Sequence, residues 1–358
     1  METAISNSKF DLTQKDGRIL WLDVARGIGI ILVVVGHACG GLIDAGLDNS
    51  HQILRSIFLL IYIFHMPLFF MLAGFTIQTR VAQDPAKFGK NILTKIVYPY
   101  YLWSIVQLTV ILLAGSSINS PYTGDPLLQI LTLPWNPVSQ FWFLQILALF
   151  HVFSLIVLPR AGPVVFLLLG FFFKSFAENV ELPEIFHYFC VNAPYFGIGV
   201  FLGIQGVRTN LLQGPIWVRI ILLPLAAVCL EAFTYNSIVE SAGLQTFASA
   251  SAPTIATLAG AWKGFAAALI CSAAVIGISA LPVVRDSTLL SYLGRRSFPI
   301  FVLHVMFVVG TRMCLVRLFG ISNAAIILPT ITLAGLIGPV IVDQVLGRLK
   351  LSKWVGLP

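Results

Sequence analysis

Long apolar segments, separated by short polar stretches, recur along nearly the whole chain. A transmembrane helix needs about 20 largely apolar residues, and the segments of roughly this length lie at about 19–40, 54–79, 96–115, 141–159, 162–177, 188–206, 219–236, 262–281, 298–318 and 322–346. Charged residues make up only 10% of the chain, against about 25% in a typical soluble domain. We therefore predict an all-α polytopic membrane protein, a bundle of about ten transmembrane helices.

The basic residues predict the orientation of this bundle. Most of the 22 Lys and Arg residues fall on the side of the N-terminus, and the predicted outer loop 116–140 has none. Because cytoplasmic loops carry an excess of Lys and Arg, both termini are expected in the cytoplasm. The chain then divides into a polar tail (1–17), a membrane-embedded domain (18–347) and a short basic tail (348–358). No nucleic acid is expected as a partner, because the aromatic residues lie in apolar runs and not among basic clusters.

The first predicted span contains the ionisable residues Asp23, Arg26 and His37. A charge inside a span costs a few kcal/mol and is by default a sign of function. Asp23 and Arg26 are three residues apart, so they share a helix face and can pair. Arg26 and His37 lie on the same side of a helix, about 16 Å apart along its axis. This spacing suits an elongated anionic ligand such as coenzyme A, with a phosphate at Arg26 and the thioester near His37.

For each of these polar residues a structural role is the alternative. Asp23 and Arg26 can form a purely structural ion pair, or the arginine can extend to the headgroups. His65 lies two residues before Pro67, and it can face a substrate or bond to the carbonyl that the proline frees.

The later spans add three candidate residues. His304 can face a cofactor or bond to a neighbouring helix. Glu231 can bind substrate or pair with a basic group. Trp142 can offer a flat apolar surface to a sugar ring or anchor its span at the membrane interface.

Five motifs follow one another along the chain. They are Leu22-Asp23-Val24-Ala25-Arg26-Gly27 with His37, the segment 64–75, Tyr98-Pro99-Tyr100, Phe141-Trp142-Phe143-Leu144, and the segment 297–304. Together they resemble the acyltransferase-3 family of integral membrane O-acyltransferases. The sequence His65-Met66-Pro67 is similar to the fucose 4-O-acetylase-like branch, whereas Ala73 stands where many members have serine.

The resemblance implies transfer of an acyl group, usually acetyl from acetyl-CoA, to a hydroxyl of a cell-envelope or exopolysaccharide sugar. It implies that Arg26 binds the donor and that His37 is catalytic, and we expect His37 to be the general base. Asp23 would hold Arg26, and His304 would face the donor. The expected substrate-binding residues are His65, Trp142 and Glu231.

The expected partners are an acyl-CoA, an envelope carbohydrate or lipid-linked sugar, and membrane lipids. The expected location is a bacterial inner membrane, with no metal and no tightly bound cofactor. The alternative function is a secondary transporter or flippase for an anionic or sugar-linked substrate, in which Asp, Arg and His residues would relay protons.

Overall fold

The computed structural model describes residues 19–47, 51–115, 124–204 and 258–357. All elements in these ranges are helical. They are α1 (Leu20–Asp44), α2 (His51–Gly74), α3 (Ile77–Gln83), α4 (Pro85–Ile92), α5 (Tyr98–Ala114), α6 (Pro126–Thr132), α7 (Trp142–Ala177), α8 (Glu184–Leu202), α9 (Leu258–Ser279), α10 (Pro282–Arg285), α11 (Thr288–Arg295), α12 (Ser297–Met313) and α13 (Ala324–Arg348). A π-helical turn, Leu93–Val97, joins α4 to α5, and another, Cys314–Leu318, extends α12.

Eight helical segments in the described ranges are long and apolar enough to cross a membrane. They are Leu20–Asp44, Ile53–Gln83, Pro85–Ala114, Ser139–Ala177, Glu184–Leu202, Trp262–Ser279, Ser297–Leu318 and Ala324–Arg348. The chain is therefore an all-α, multi-pass integral membrane protein. The predicted span 219–236, with Glu231, lies outside the described residues, and the total of ten spans and the orientation stay predictions.

Helix α7 is bent back on itself at Gly162. This glycine has φ 76° and ψ 177°, a backbone conformation that side chains with a Cβ disfavour, and Pro159 and Pro163 flank it. The rings of Phe153 and Phe173 lie 5.6 Å apart, although 20 residues of straight helix would separate them by about 30 Å. The structure thus confirms the predicted division of this region into two segments at residues 159–163.

Helix α1 lies in the interior of the bundle, in contact with α2, α9, α11, α12 and α13. Its closest neighbour is α11, because Gly27 lies against the backbone of Leu290 and Gly294 lies against the carbonyl oxygen of Asp23. The two glycines allow this approach because neither has a Cβ in the contact. The close contact fixes the position of the helix that carries the predicted site.

The C-terminal tail is tied to the beginning of α5. The Tyr98 hydroxyl donates to the carbonyl of Trp354 at 2.5 Å, and the Trp103 indole donates to the carbonyl of Val355 at 2.9 Å. The tail and the start of α5 therefore lie at the same end of the bundle.

Candidate active site

Three histidines from three helices meet in the interior of the bundle. The ring centroids of His37 on α1 and His304 on α12 are 4.9 Å apart. Tyr62 on α2 connects this pair to His65, since its ring centroid lies 5.9 Å from that of His37 and 4.8 Å from that of His65. We call these four residues the histidine cluster.

Two of these histidines are fixed by their own helices. The Nδ1 of His65 donates to the carbonyl of Ile61 at 2.8 Å, and the Nδ1 of His304 donates to the carbonyls of Ile300 and Phe301 at 3.0 and 2.8 Å. Because Nδ1 carries the proton in these bonds, Nε2 of each neutral ring is an acceptor. Nε2 of His304 is buried and has no hydrogen-bond partner among the described residues.

These hydrogen bonds show that neither His65 nor His304 has the structural role that the sequence offered as the alternative to function. Pro67 has no N–H to donate to the carbonyl four residues earlier, that of Ile63. His65 bonds to Ile61 instead, so it does not satisfy the carbonyl that the proline frees. His304 bonds within α12 and not to a neighbouring helix.

His37 differs from the other two histidines. It has no hydrogen bond to the backbone in the described part of the chain, and its Nδ1 lies 3.4 Å from the Tyr62 hydroxyl. His65 and His304 are 4% and 0% exposed, whereas Tyr62 is 38% exposed and His37 is partly exposed. His37 is thus the histidine of the cluster that is partly exposed and that can carry its proton on either ring nitrogen.

A second group of charged residues lies at one end of α1, which we call the inner end. Arg26 and Asp23 form the predicted ion pair, with Nη1 and Oδ1 3.6 Å apart. Arg80 on α3 is close enough for its charge to act on Arg26. Since α1 is continuous from Leu20 to Asp44, the rise from Arg26 to His37 is about 16 Å, as predicted. The structure therefore places a cationic group and an imidazole at the two ends of one helix segment.

Sequence reasoning missed Tyr62 and Arg80. Tyr62 lies in an apolar run and its type does not distinguish it from core aromatics, although it is one turn from His65 on the same helix. Arg80 has the pattern of a cytoplasmic anchor. Only the packing of α2 beside α1 reveals that Tyr62 lies next to His37. Likewise, only the folded chain brings the charge of Arg80 close enough to act on Arg26.

One remaining candidate, Trp142, is not in the histidine cluster. Trp142 is partly exposed and packs on Tyr188 and Phe70, with ring centroids 4.9 and 6.3 Å away. Glu231 lies outside the described residues. No group of three or more His, Cys, Asp and Glu side chains in the described ranges is arranged to hold a metal ion.

Comparisons with known proteins assign a family to this architecture. The family model described as "Acyltransferase domain" (Acyl_transf_3) matches residues 19–343. Nodulation protein NolL of Mesorhizobium japonicum is 26% identical to the chain over 307 residues, which are 78% of this chain and 76% of that protein. No solved structure matches.

Proposed function

The chain belongs to the acyltransferase-3 family and is a membrane acyltransferase, and from this premise we propose that it moves an acetyl group from acetyl-CoA to a hydroxyl of an envelope or lipid-linked sugar. The observation that carries the proposal is His37, the histidine of the cluster whose ring no backbone carbonyl holds. Its distance of about 16 Å from Arg26 matches a donor with phosphates at one end and a thioester at the other. A bacterial inner membrane is the proposed location.

In the proposed reaction His37 is the general base. Nε2 takes the proton of the sugar hydroxyl while the hydroxyl oxygen attacks the carbonyl carbon of the thioester. The carbon–sulfur bond then breaks, and the departing thiolate takes up the proton from His37. The products are the acetyl ester and free coenzyme A. Arg26 binds the donor phosphates by charge-assisted hydrogen bonds, and Asp23 positions the guanidinium.

Tyr62 positions His37 in this reaction. With the proton of His37 on Nδ1 and donated to the Tyr62 oxygen, Nε2 keeps the lone pair that a base needs. A phenol oxygen can accept this bond and still donate its own proton. The Tyr62 O–H is therefore free to donate to the carbonyl oxygen that gains negative charge during attack.

The test of the proposed function is the release of coenzyme A by the purified protein. The assay contains acetyl-CoA and a glycan extract of the cell envelope, and mass spectrometry then identifies the acetylated acceptor. Release that depends on the extract supports acetyl transfer. Folded protein that neither binds acetyl-CoA nor releases coenzyme A would contradict it, and transport assays in vesicles would then test the transporter or flippase alternative.

Arg26→Lys should raise the KM for acetyl-CoA by about tenfold and leave kcat nearly unchanged. Lysine keeps the charge beside Asp23 but loses the planar fork that binds a phosphate through two N–H groups, and a hydrogen bond to a charged group contributes about 1.5–3 kcal/mol. Steady-state kinetics measure the effect. Arg160→Ala, at an exposed position in α7, is the control, and an equal KM increase in both variants would refute donor binding by Arg26.

Tyr62→Phe should lower kcat about tenfold without changing the KM for acetyl-CoA. The substitution removes one hydroxyl, whose hydrogen bond is worth about 0.5–1.5 kcal/mol, and keeps the ring contacts with His37 and His65. Tyr101→Phe is the matched control, because Tyr101 is 37% exposed and Tyr62 is 38% exposed. If the kcat of the two variants is the same, Tyr62 has no part in the reaction.

A further inference from the structure

A cavity of about 390 Å³ opens between the start of α12 and the end of α13. Its volume lies within the range of small-molecule sites, about 300–1,000 Å³. The lining residues are Arg296, Asp343, Gln344, Gly347, Arg348 and Ser352. None of them belongs to the histidine cluster or to the Arg26–Asp23 pair.

The charges in this cavity favour an anionic ligand. Arg296 and Asp343 form an ion pair, in which the 2% exposed aspartate holds the guanidinium as Asp23 holds Arg26. Arg348 is exposed and forms no ion pair with the described residues. A guanidinium has five N–H donors and its pairing with one carboxylate leaves several of them available. The two arginines thus outnumber the one carboxylate.

The cavity lies at the inner end of α1, where Arg26 is. Gly294 touches the carbonyl of Asp23, and Arg296 follows Gly294 by two residues. Along α12, His304 is eight residues from Arg296, which corresponds to about 12 Å. The cavity therefore lies to the inner side of the histidine cluster, at about the depth of Arg26.

A coenzyme A thioester has the dimensions to reach both places. About thirteen bonds join its sulfur to its pyrophosphate, and at the rise per bond of an extended chain they span about 15 Å. This length matches the distance from His37 to Arg26. The adenosine and its 3′-phosphate continue beyond the pyrophosphate, where the cavity offers space and unneutralised positive charge.

We propose that this cavity binds the adenosine 3′-phosphate end of the donor, with Arg348 donating to the 3′-phosphate and Arg296 lining the nucleotide. The role presupposes the coenzyme A donor of the proposed function. The donor would then be bound in two regions of the protein. Helix α1 would hold its pyrophosphate, and helices α12 and α13 would hold its adenosine 3′-phosphate.

The experiment combines a change in the protein with a change in the donor. Kinetics of the purified full-length protein in a neutral detergent, with the envelope extract, give the KM for acetyl-CoA and for acetyl-3′-dephospho-CoA. Arg348→Ala should raise the KM for acetyl-CoA about tenfold, leave kcat unchanged, and leave the KM for the dephospho donor unchanged. The wild type should itself show a higher KM for the dephospho donor than for acetyl-CoA, because removing the 3′-phosphate abolishes the same contact that Arg348→Ala removes from the protein.

Lys353→Ala is the matched control, since Lys353 is an exposed basic residue of the same tail outside the cavity lining. Equal KM increases for both donors in Arg348→Ala, no increase, or the same increase in Lys353→Ala would overturn the proposal. An effect that appears only when phosphatidylglycerol is added would also overturn it, because the cavity would then hold a lipid headgroup. A wild-type protein that neither binds acetyl-CoA nor releases coenzyme A would contradict the proposed function itself, whereas an active wild type with an unaffected Arg348→Ala contradicts only the cavity assignment.

Discussion

His37→Gln should lower kcat for coenzyme A release by about a thousandfold, within the range of about 10²–10⁴ for loss of a general base. Glutamine is neutral and similar in size, so the contacts of α1 with α2 and α12 persist. Its amide has no basic nitrogen, and the sugar hydroxyl then attacks without a proton acceptor. The KM for acetyl-CoA should change little, because Arg26 lies about 16 Å away along the helix.

The control for this variant is His187→Gln. His187 lies on α8, and its described ring contact is with Tyr188, at 6.5 Å, and not with a ring of the histidine cluster. Its substitution should leave kcat unchanged. A His37→Gln protein that retains more than a tenth of the wild-type kcat would show that another group takes the proton.

Gly294→Ala should destabilise the protein by about 1–3 kcal/mol or more, the usual cost of adding an atom to a packed contact. A Cβ at this position would collide with the carbonyl oxygen of Asp23 and lie 3.0 Å from the backbone nitrogen of Gly27. Backbone atoms cannot rotate away, so α11 must shift from α1. Thermal unfolding of the detergent-solubilised protein should show a clearly lower Tm.

Gly310→Ala supplies the comparison for this effect. Gly310 is also within a helix, and a Cβ there would meet no atom within 4 Å. Alanine is favoured over glycine in a helix by about 0.5–1 kcal/mol, so the Tm should stay equal or rise. If both variants unfold at the same temperature, the contact between α1 and α11 is not a tight one.

The helices and the spacing within α1 were predictable because they depend on local patterns. The apolar runs mark the spans, and the prolines around Gly162 mark the fold-back of α7. The register of Arg26 and His37 follows from helix geometry alone. Each of these features needs only residues that are close together in the sequence.

The arrangement of the site between helices was not predictable in the same way. His37 and His304 are in contact, although no sequence pattern relates helices so far apart in the chain. His65 and His304 differ from His37 in that their Nδ1 atoms bond to backbone carbonyls, and these bonds depend on side-chain rotamers. The role predicted for Trp142 stays a prediction, because Trp142 contacts Tyr188 and Phe70 and not the histidine cluster. The role predicted for Glu231 stays one because this residue lies outside the described part of the chain.

The ties between α5 and the C-terminal tail have a consequence for biosynthesis. Tyr98 and Trp103 bond to carbonyls 256 and 252 residues further along the chain. At a synthesis rate of about 5–20 residues per second, the ribosome needs roughly 13–50 s to make this intervening length. Helix α5 thus enters the membrane long before its acceptors exist, and the start of this helix acquires them only after Trp354 and Val355 have been synthesised. The hydrogen bonds between the tail and α5 therefore form late in synthesis. A chain that stops before Trp354 leaves the Tyr98 and Trp103 donors without these partners.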